Sequence, residues 1–420
     1  MALRQSLFFN ALYAGLLLFG LTLPISKSAG NVILFLVYIV VAAGVLLDKD
    51  IRDTIVSSMG QPLTLAFFLY FLVAFIGVFY TENYSDGFHI SNKFLSLPAV
   101  YLMAAVLIQT IRDEEKRHEY AENILFAFLA GLIVLNGIGL MTYFGIIGHK
   151  KFVLPLSPLN VHHIWFSNLN ALGMYAAVSL SLFSRRGKSM HAKWLLMVYL
   201  LLAASCVILS TSRAAWLGIL MTSGIVAVLS FRREAMQNKK RVVIALAVVA
   251  VACVALYTFV PIVQERIGLI GSDIVSFSAG KGDATSLGAR FLMWKAALKM
   301  FLANPLAGVG TGDYGSMMAS YIKAGQFPEF LLDFNQPHNM YLFALATNGL
   351  LGLGPLLYLF YRTLGFAIPR LTGDERERLF AFLAAATALH FMIAGFTDSF
   401  FNIQILRYGF AFILGVCVRK

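Results

Sequence analysis

Apolar runs of about 17 to 25 residues recur along almost the whole chain, separated by short polar turns. A helix of that length matches the hydrocarbon thickness of a bilayer. The pattern predicts helices over about 6–25, 31–47, 62–80, 93–111, 123–147, 162–184, 193–210, 213–231, 242–260, 339–361, 379–398 and 402–418. Short segments of alternating polarity are absent, which excludes a transmembrane β-barrel. The expected fold class is an all-α polytopic membrane protein with about 12 transmembrane helices. The first apolar run has no small-residue cleavage site before Pro24, so it reads as a retained helix rather than a signal peptide.

One connection departs from the pattern. Between Pro261 and His338 the chain turns polar and rich in Gly, Ser and Asp. The organisation read from this is helices one to nine over 1–260, a large loop over 261–338, and helices ten to twelve over 339–420. Two helical patterns lie inside the loop. One runs about 288–303 and stops at Asn304-Pro305. The other runs about 313–324, opened by Asp313 after the glycines of 308–312. Ser272 to Ser286 reads as a flexible lip.

Composition agrees with the membrane reading. Of 420 residues, 59% are hydrophobic and 13% charged; soluble proteins carry about a quarter charged residues. The net charge of +12 suggests nucleic acid until its distribution is considered. With the N-terminus inside, the inner loops collect Arg4; Lys49 and Arg52; Arg112, Lys116 and Arg117; and Arg185, Arg186, Lys188 and Lys193. They continue with Arg232, Arg233, Lys239, Lys240 and Arg241; Arg362, Arg370, Arg376 and Arg378; and Arg419 with Lys420. The short outer loops hold Lys27, Lys93, Lys150, Lys151, Arg213 and Arg407. That asymmetry is the positive-inside rule, so the charge is topological and no nucleic-acid partner is implied. Both termini are expected in the cytoplasm, with 261–338 on the periplasmic side. Cys206, Cys253 and Cys417 fall in apolar helices and read as small core residues.

Few motifs carry chemistry. Gly280-Lys281 lacks the other residues of a P-loop, and no βαβ unit surrounds the run from Gly308 to Gly312, which reads as a turn or a small anion-binding nest. Asp48-Lys49-Asp50 sits in a short inner loop, and no His/Cys/Asp cluster has metal-ligand spacing, so no cofactor or metal is expected. What remains is a set of cations and histidines on the outer side. On the 288–303 helix, Arg290, Trp294, Ala297 and Phe301 share one face, whereas Lys295 and Lys299 share another. Arg290 therefore either snorkels or aims at an anionic lipid headgroup. Arg213 lies in a tight turn between two helices, where it either reaches phospholipid headgroups or holds a ligand. Arg266, beside Glu265, reads as an ordinary ion pair. Asp398 ends a helix on the same side and either orients a base or caps a turn. His338 lies where the long loop re-enters the membrane, at a helix N-terminus whose dipole favours neutral imidazole, so it is either a proton acceptor or a capping residue. His162 and His163, at another helix start, rank beside it.

The sequences Ser212-Arg213-Ala214-Ala215-Trp216, Gly288-Ala289-Arg290 with Trp294, Asn304-Pro305 through Tyr314, and Pro337-His338-Asn339 with Tyr341-Leu342 resemble the O-antigen ligase superfamily, over about 205–345. That group holds lipopolysaccharide O-antigen ligases, O-antigen polymerases and some protein glycosyltransferases. The resemblance implies a GT-C-like membrane fold and a metal-independent periplasmic glycosyltransferase. Its donor would be O-antigen polysaccharide on undecaprenyl pyrophosphate, and its acceptor a sugar hydroxyl of lipid A–core, both met among membrane lipids. His338, Arg290 and Arg213 match the family's essential residues. Arg266, Asn339, Tyr341, Trp294, Asp398, His162 and His163 are expected around the substrate. The reading is direct, inverting attack with His338 as base; a covalent route would require Asp398 as nucleophile. An O-antigen polymerase using the same donor is the nearest alternative. A secondary transporter is the alternative from another class, but its ionisable residues would lie near the membrane midplane rather than at the outer helix ends.

Overall fold

A computed structural model of the chain describes residues 2–148, 151–237, 251, 254–255, 257–278 and 285–418, with no strand among them. In chain order the helices are α1 (Ala2–Thr22), α2 (Lys27–Leu47), α3 (Lys49–Met59), α4 (Pro62–Ile76), α5 (Tyr84–Thr110), α6 (Glu114–Tyr143), α7 (His163–Phe183), α8 (Met190–Leu209) and α9 (Arg213–Gln237). They continue as α10 (Pro261–Ser278), α11 (Ser286–Ala303), α12 (Tyr314–Lys323), α13 (Met340–Arg370), α14 (Glu375–Ala394) and α15 (Gln404–Cys417). Among the described residues, eight helices are long and apolar enough to cross a membrane: α2, α4 with the turn after it, α5, α6, α8, α9, α13 and α14. The apolar part of α1 and the whole of α15 are shorter. The chain is thus an all-helical, multi-pass membrane protein. The helix expected over 242–260, with Cys253, falls largely outside the described residues, as do Lys150 and Gly280-Lys281.

Apolar side chains divide between the bundle and its outer face. Phe67, Tyr101, Phe128, Phe391, Phe401 and Phe410 are buried, whereas Phe35, Leu46, Leu195, Leu201 and Val228 remain exposed on α2, α8 and α9. Such exposure suits a lipid environment, where apolar burial does not drive helices together and close packing does. Glycine provides that closeness. A Cβ at Gly131 on α6 would lie 2.2 Å from the Leu21 carbonyl of α1. One at Gly415 on α15 would lie 2.5 Å from the Tyr101 carbonyl of α5.

Several elements differ from the hydrophobic pattern, which marks apolar spans and not the polar turns that continue a helix beyond them. α6 begins at Glu114, capped by the Asp113 carboxylate on the Glu115 and Lys116 amides. Lys49 and Asp50 are not loop residues: they open α3, and Asp48 accepts from the Ile51 amide at 3.3 Å. Ser272 to Ser278, expected as a lip, are the end of α10. Lys93 and Arg407, assigned to outer loops, lie within α5 and α15.

The glycine-rich run after α11 is a structural clamp rather than an anion nest, because its amides are already engaged. Val309 and Gly310 donate to the Ala346 and Thr347 carbonyls, each at 2.9 Å, and Gly312 donates to Thr81 Oγ1 at 3.2 Å. Asp313 does not cap α12 through its side chain; its carboxylate accepts from the Glu82 and Asn83 amides at 2.8 and 2.9 Å. α13 kinks at Gly349 (φ 60°), where the Leu350 amide turns to the Pro305 carbonyl at 2.9 Å. The clamp thereby joins α4, α5 and α13 below the loop that carries His338.

Candidate functional site

The candidate residues converge where α7 and α13 begin, where α8 turns into α9, and where α14 gives way to α15. His338 precedes α13, whose first turn is capped by Asn339: its Oδ1 accepts from the Tyr341 and Leu342 amides, each at 3.0 Å. Asn339 Nδ2 donates to the Phe396 carbonyl at 3.2 Å, and the Tyr341 hydroxyl donates to the Met392 carbonyl at 2.7 Å. Both side chains therefore bind α13 to the end of α14. The Trp294 indole donates to the Pro337 carbonyl at 3.0 Å, which fixes the residue before His338. All three, expected at the substrate, use their polar atoms on the backbone of the site.

His338 Nδ1 lies 3.1 Å from Asp398 Oδ1. Asp398 is 2% exposed and also accepts from the Ser399 amide at 2.8 Å. It thus both caps a turn and pairs with the histidine. Gln336 Nε2 approaches the same oxygen at 3.5 Å, and Gln336 Oε1 accepts from Asn402 Nδ2 at 3.3 Å. His338 has a positive φ of 47°, as does Thr211 at 56° in the α8–α9 turn. Left-handed backbone at a non-glycine residue costs about 1 to 3 kcal/mol and persists where packing imposes it.

The α8–α9 turn carries Arg213. The Trp216 indole donates to the Val207 carbonyl at 2.9 Å across it, and His163 Nδ1 meets the Ser210 carbonyl at 2.8 Å. Arg213 lies 3.8 Å from Asp273 and donates weakly to the Arg266 carbonyl at 3.5 Å. Arg266 makes no ion pair with Glu265 among the described residues, contrary to the sequence reading; it lies inside α10, close enough to His163 to interact electrostatically. Arg290 and Trp294 are both half-buried on α11, while Lys295 and Lys299 are exposed. Lys299 is held by Gln326 and lies over the Tyr321 ring. Burial lowers the Arg290 pKa from its ordinary value; Asp398 opposes this and Arg213 adds to it. Arg290 has no carboxylate at ion-pair distance among the described residues. His162 is exposed at the start of α7, close enough to Asp398 and His338 to interact electrostatically.

The three arginines, three histidines and Asp398 thus form one group. Sequence reasoning missed Asp273, which has no motif and meets Arg213 only through the fold. It also passed over Gln336, two residues from His338. Chemically, the group offers guanidinium charge beside a carboxylate-oriented imidazole.

Comparison with known proteins agrees with the motifs. Residues 198–359 match the family described as O-Antigen ligase. That interval contains Arg213, Arg266, Arg290, Trp294, His338, Asn339 and Tyr341; His162, His163 and Asp398 lie outside it. An uncharacterised protein of Haemophilus influenzae is 24% identical over 322 residues, 76% of each chain. The resemblance to the O-antigen ligase family is shown over residues 198–359, and it supports a function of the O-antigen ligase or polymerase type.

Proposed function

We propose that this chain is a glycosyltransferase that moves O-antigen polysaccharide from undecaprenyl pyrophosphate to a sugar hydroxyl of lipid A–core at the periplasmic face of the inner membrane. The observation that carries the reading is the His338–Asp398 pair at 3.1 Å, with the half-buried Arg290 close enough to Asp398 to interact with it. Topology is inferred from charge: the Arg186–Glu119 and Lys188–Glu375 pairs and most loop cations lie at the opposite helix ends.

Asp398 accepts the Nδ1 proton of His338, which leaves Nε2 free as base. The acceptor hydroxyl gives its proton to Nε2 as its oxygen bonds to the anomeric carbon. The bond from that carbon to the pyrophosphate oxygen breaks, and its electron pair leaves with the pyrophosphate. Arg213 and Arg290 pair with the departing charge, with Arg266 beside them. Attack from the face opposite the leaving group inverts the anomeric centre. Asp398 suits orientation better than nucleophilic attack, because it is buried and already accepts from Ser399 and His338. Trp294, Asn339 and Tyr341 act as positioning residues through the Pro337, Phe396 and Met392 carbonyls.

The test is the lipopolysaccharide of a deletion strain, with transfer by the purified protein. A ligase defect leaves bare core and polymer on the carrier, restored by wild type and not by His338→Ala. Core capped with one repeat would assign the chain to polymerisation instead.

A further inference from the structure

Beside the His338–Asp398 pair lies a cavity of about 330 Å³ that no step above uses. Gln336 and Asn402 form part of its wall, and through them it joins the site: Asn402 donates to Gln336, and Gln336 reaches Asp398. None of Arg213, Arg266 and Arg290 lines it. The cavity thus shares the pair with the arginine cluster while remaining separate from the cations assigned to pyrophosphate.

Its wall is cationic. Lys27, His89 and Lys93 line it, and Asp86, already bonded to Asn83 Nδ2 at 2.8 Å, is its carboxylate. Behind Lys93 is Arg407, 3% exposed, which donates to Ser96 Oγ at 2.7 Å and to the Phe401 carbonyl at 2.6 Å. Among the described residues no carboxylate lies within ion-pair distance of Arg407 or Lys93; the two cations repel each other, and Asp86 offsets this at Lys93 only from beyond that distance. Buried charge without a counter-ion is costly, and a positively charged wall around a void favours an anion there.

The rest of the wall suits a sugar. The Trp165 ring is part of it, with the Lys27 ammonium over the ring 5.0 Å from its centre, so cation and apolar surface lie together on the wall. Asn335 brings an amide to the wall, Gln404 donates to Asn31 and keeps its carbonyl, and Gln336 and Asn402 hold each other and leave Asn402 Oδ1 as an acceptor for a hydroxyl. Two wall residues hold polar atoms without a partner among the described residues, the Tyr314 hydroxyl and Asn402 Oδ1.

We propose that this cavity is the acceptor subsite and binds an anionic sugar, phosphorylated or carboxylated, so that a nearby hydroxyl reaches His338. This rests on the transfer reading above and adds the chemistry of acceptor recognition. The anion belongs to the acceptor core; an anion on the donor glycan is the competing source, and the two are tested separately.

The experiment is equilibrium binding to the full chain in nanodiscs. One ligand is lipid A–core, intact or phosphatase-treated, and the other is undecaprenyl-pyrophosphate glycan. The double variant Lys27→Gln/Lys93→Gln should bind intact lipid A–core at least about tenfold more weakly, as expected for losing charge-assisted contacts. Donor binding should be unchanged. Phosphatase treatment should weaken binding to wild type by a similar factor and have little further effect on the double variant. Lys93→Arg should retain binding, which separates lost charge from misfolding. In transfer assays the acceptor KM should rise at constant kcat. Unchanged acceptor binding in the double variant overturns the proposal, and so does a loss confined to the donor. Absence of transfer by wild type would sink the transfer reading while leaving the binding comparison decisive for the cavity.

Discussion

Asp398→Asn is the sharpest test of the proposed chemistry. It keeps the size of the side chain and an acceptor for the Ser399 amide at 2.8 Å, so folding should survive. It removes the negative charge 3.1 Å from His338 Nδ1. The carboxylate stabilises the imidazolium that forms as the acceptor hydroxyl loses its proton. Hydrogen bonds to charged groups contribute about 1.5 to 3 kcal/mol, and each 1.36 kcal/mol is tenfold in rate, so kcat should fall about 10- to 150-fold. The amide also donates where the carboxylate only accepts, which favours the tautomer with the proton on Nε2 and removes the base. Donor binding should move the other way. Asp398 interacts with Arg290, so neutralising it leaves more positive charge for the pyrophosphate and donor Kd should hold or tighten. The assay is single-turnover transfer to lipid A–core with labelled donor, with donor binding measured separately. His338→Ala should cost about 10² to 10⁴ in rate, and the double variant little more, because the two residues act as one unit. A kcat within twofold of wild type, weaker donor binding, or additive losses would each refute the reasoning.

Arg290→Ala should abolish transfer and Arg290→Lys should lose most of it, because a point charge does not reproduce the planar fork, whereas exposed Lys295→Ala should keep activity; equal losses at 290 and 295 would indicate general attraction to anionic lipid. Trp294→Phe removes the 3.0 Å bond to the Pro337 carbonyl, so kcat should drop about 2- to 12-fold with donor binding intact, and unchanged kcat would deny it a positioning role. Gly349→Ala places a Cβ 2.4 Å from the Leu306 carbonyl at a φ of 60°, so the thermal unfolding midpoint in detergent should fall; an unchanged midpoint would remove the clamp from the account. Alkaline phosphatase fused after Gly325 should be active and after Thr372 inactive, and the reverse pattern would invert the proposed topology.

The apolar spacing by itself determined that the chain is helical and suited to a bilayer, because a membrane leaves the backbone few ways to satisfy its hydrogen bonds. It also assigned Arg290 and the two lysines of α11 to different faces, since helical periodicity is local and the wheel needs no fold. The motif order carried the family resemblance, and the match over residues 198–359 agrees with it. Helix ends were less legible, because a turn such as that opening α6 is polar and held by a cap rather than by hydrophobicity. The glycines of 308–312 were ambiguous for a related reason: their composition permits an anion nest, and only the carbonyls of α13 show that the amides are taken. What tertiary structure decided was pairing across long separations. Asp398 is 60 residues from His338 in the chain, and Asp273 is likewise distant from Arg213, so no local pattern joins either pair. Arg407 was one more outer cation in the sequence; folding buried it in α15 behind Lys93, because helix packing, and not residue type, sets which charges leave water.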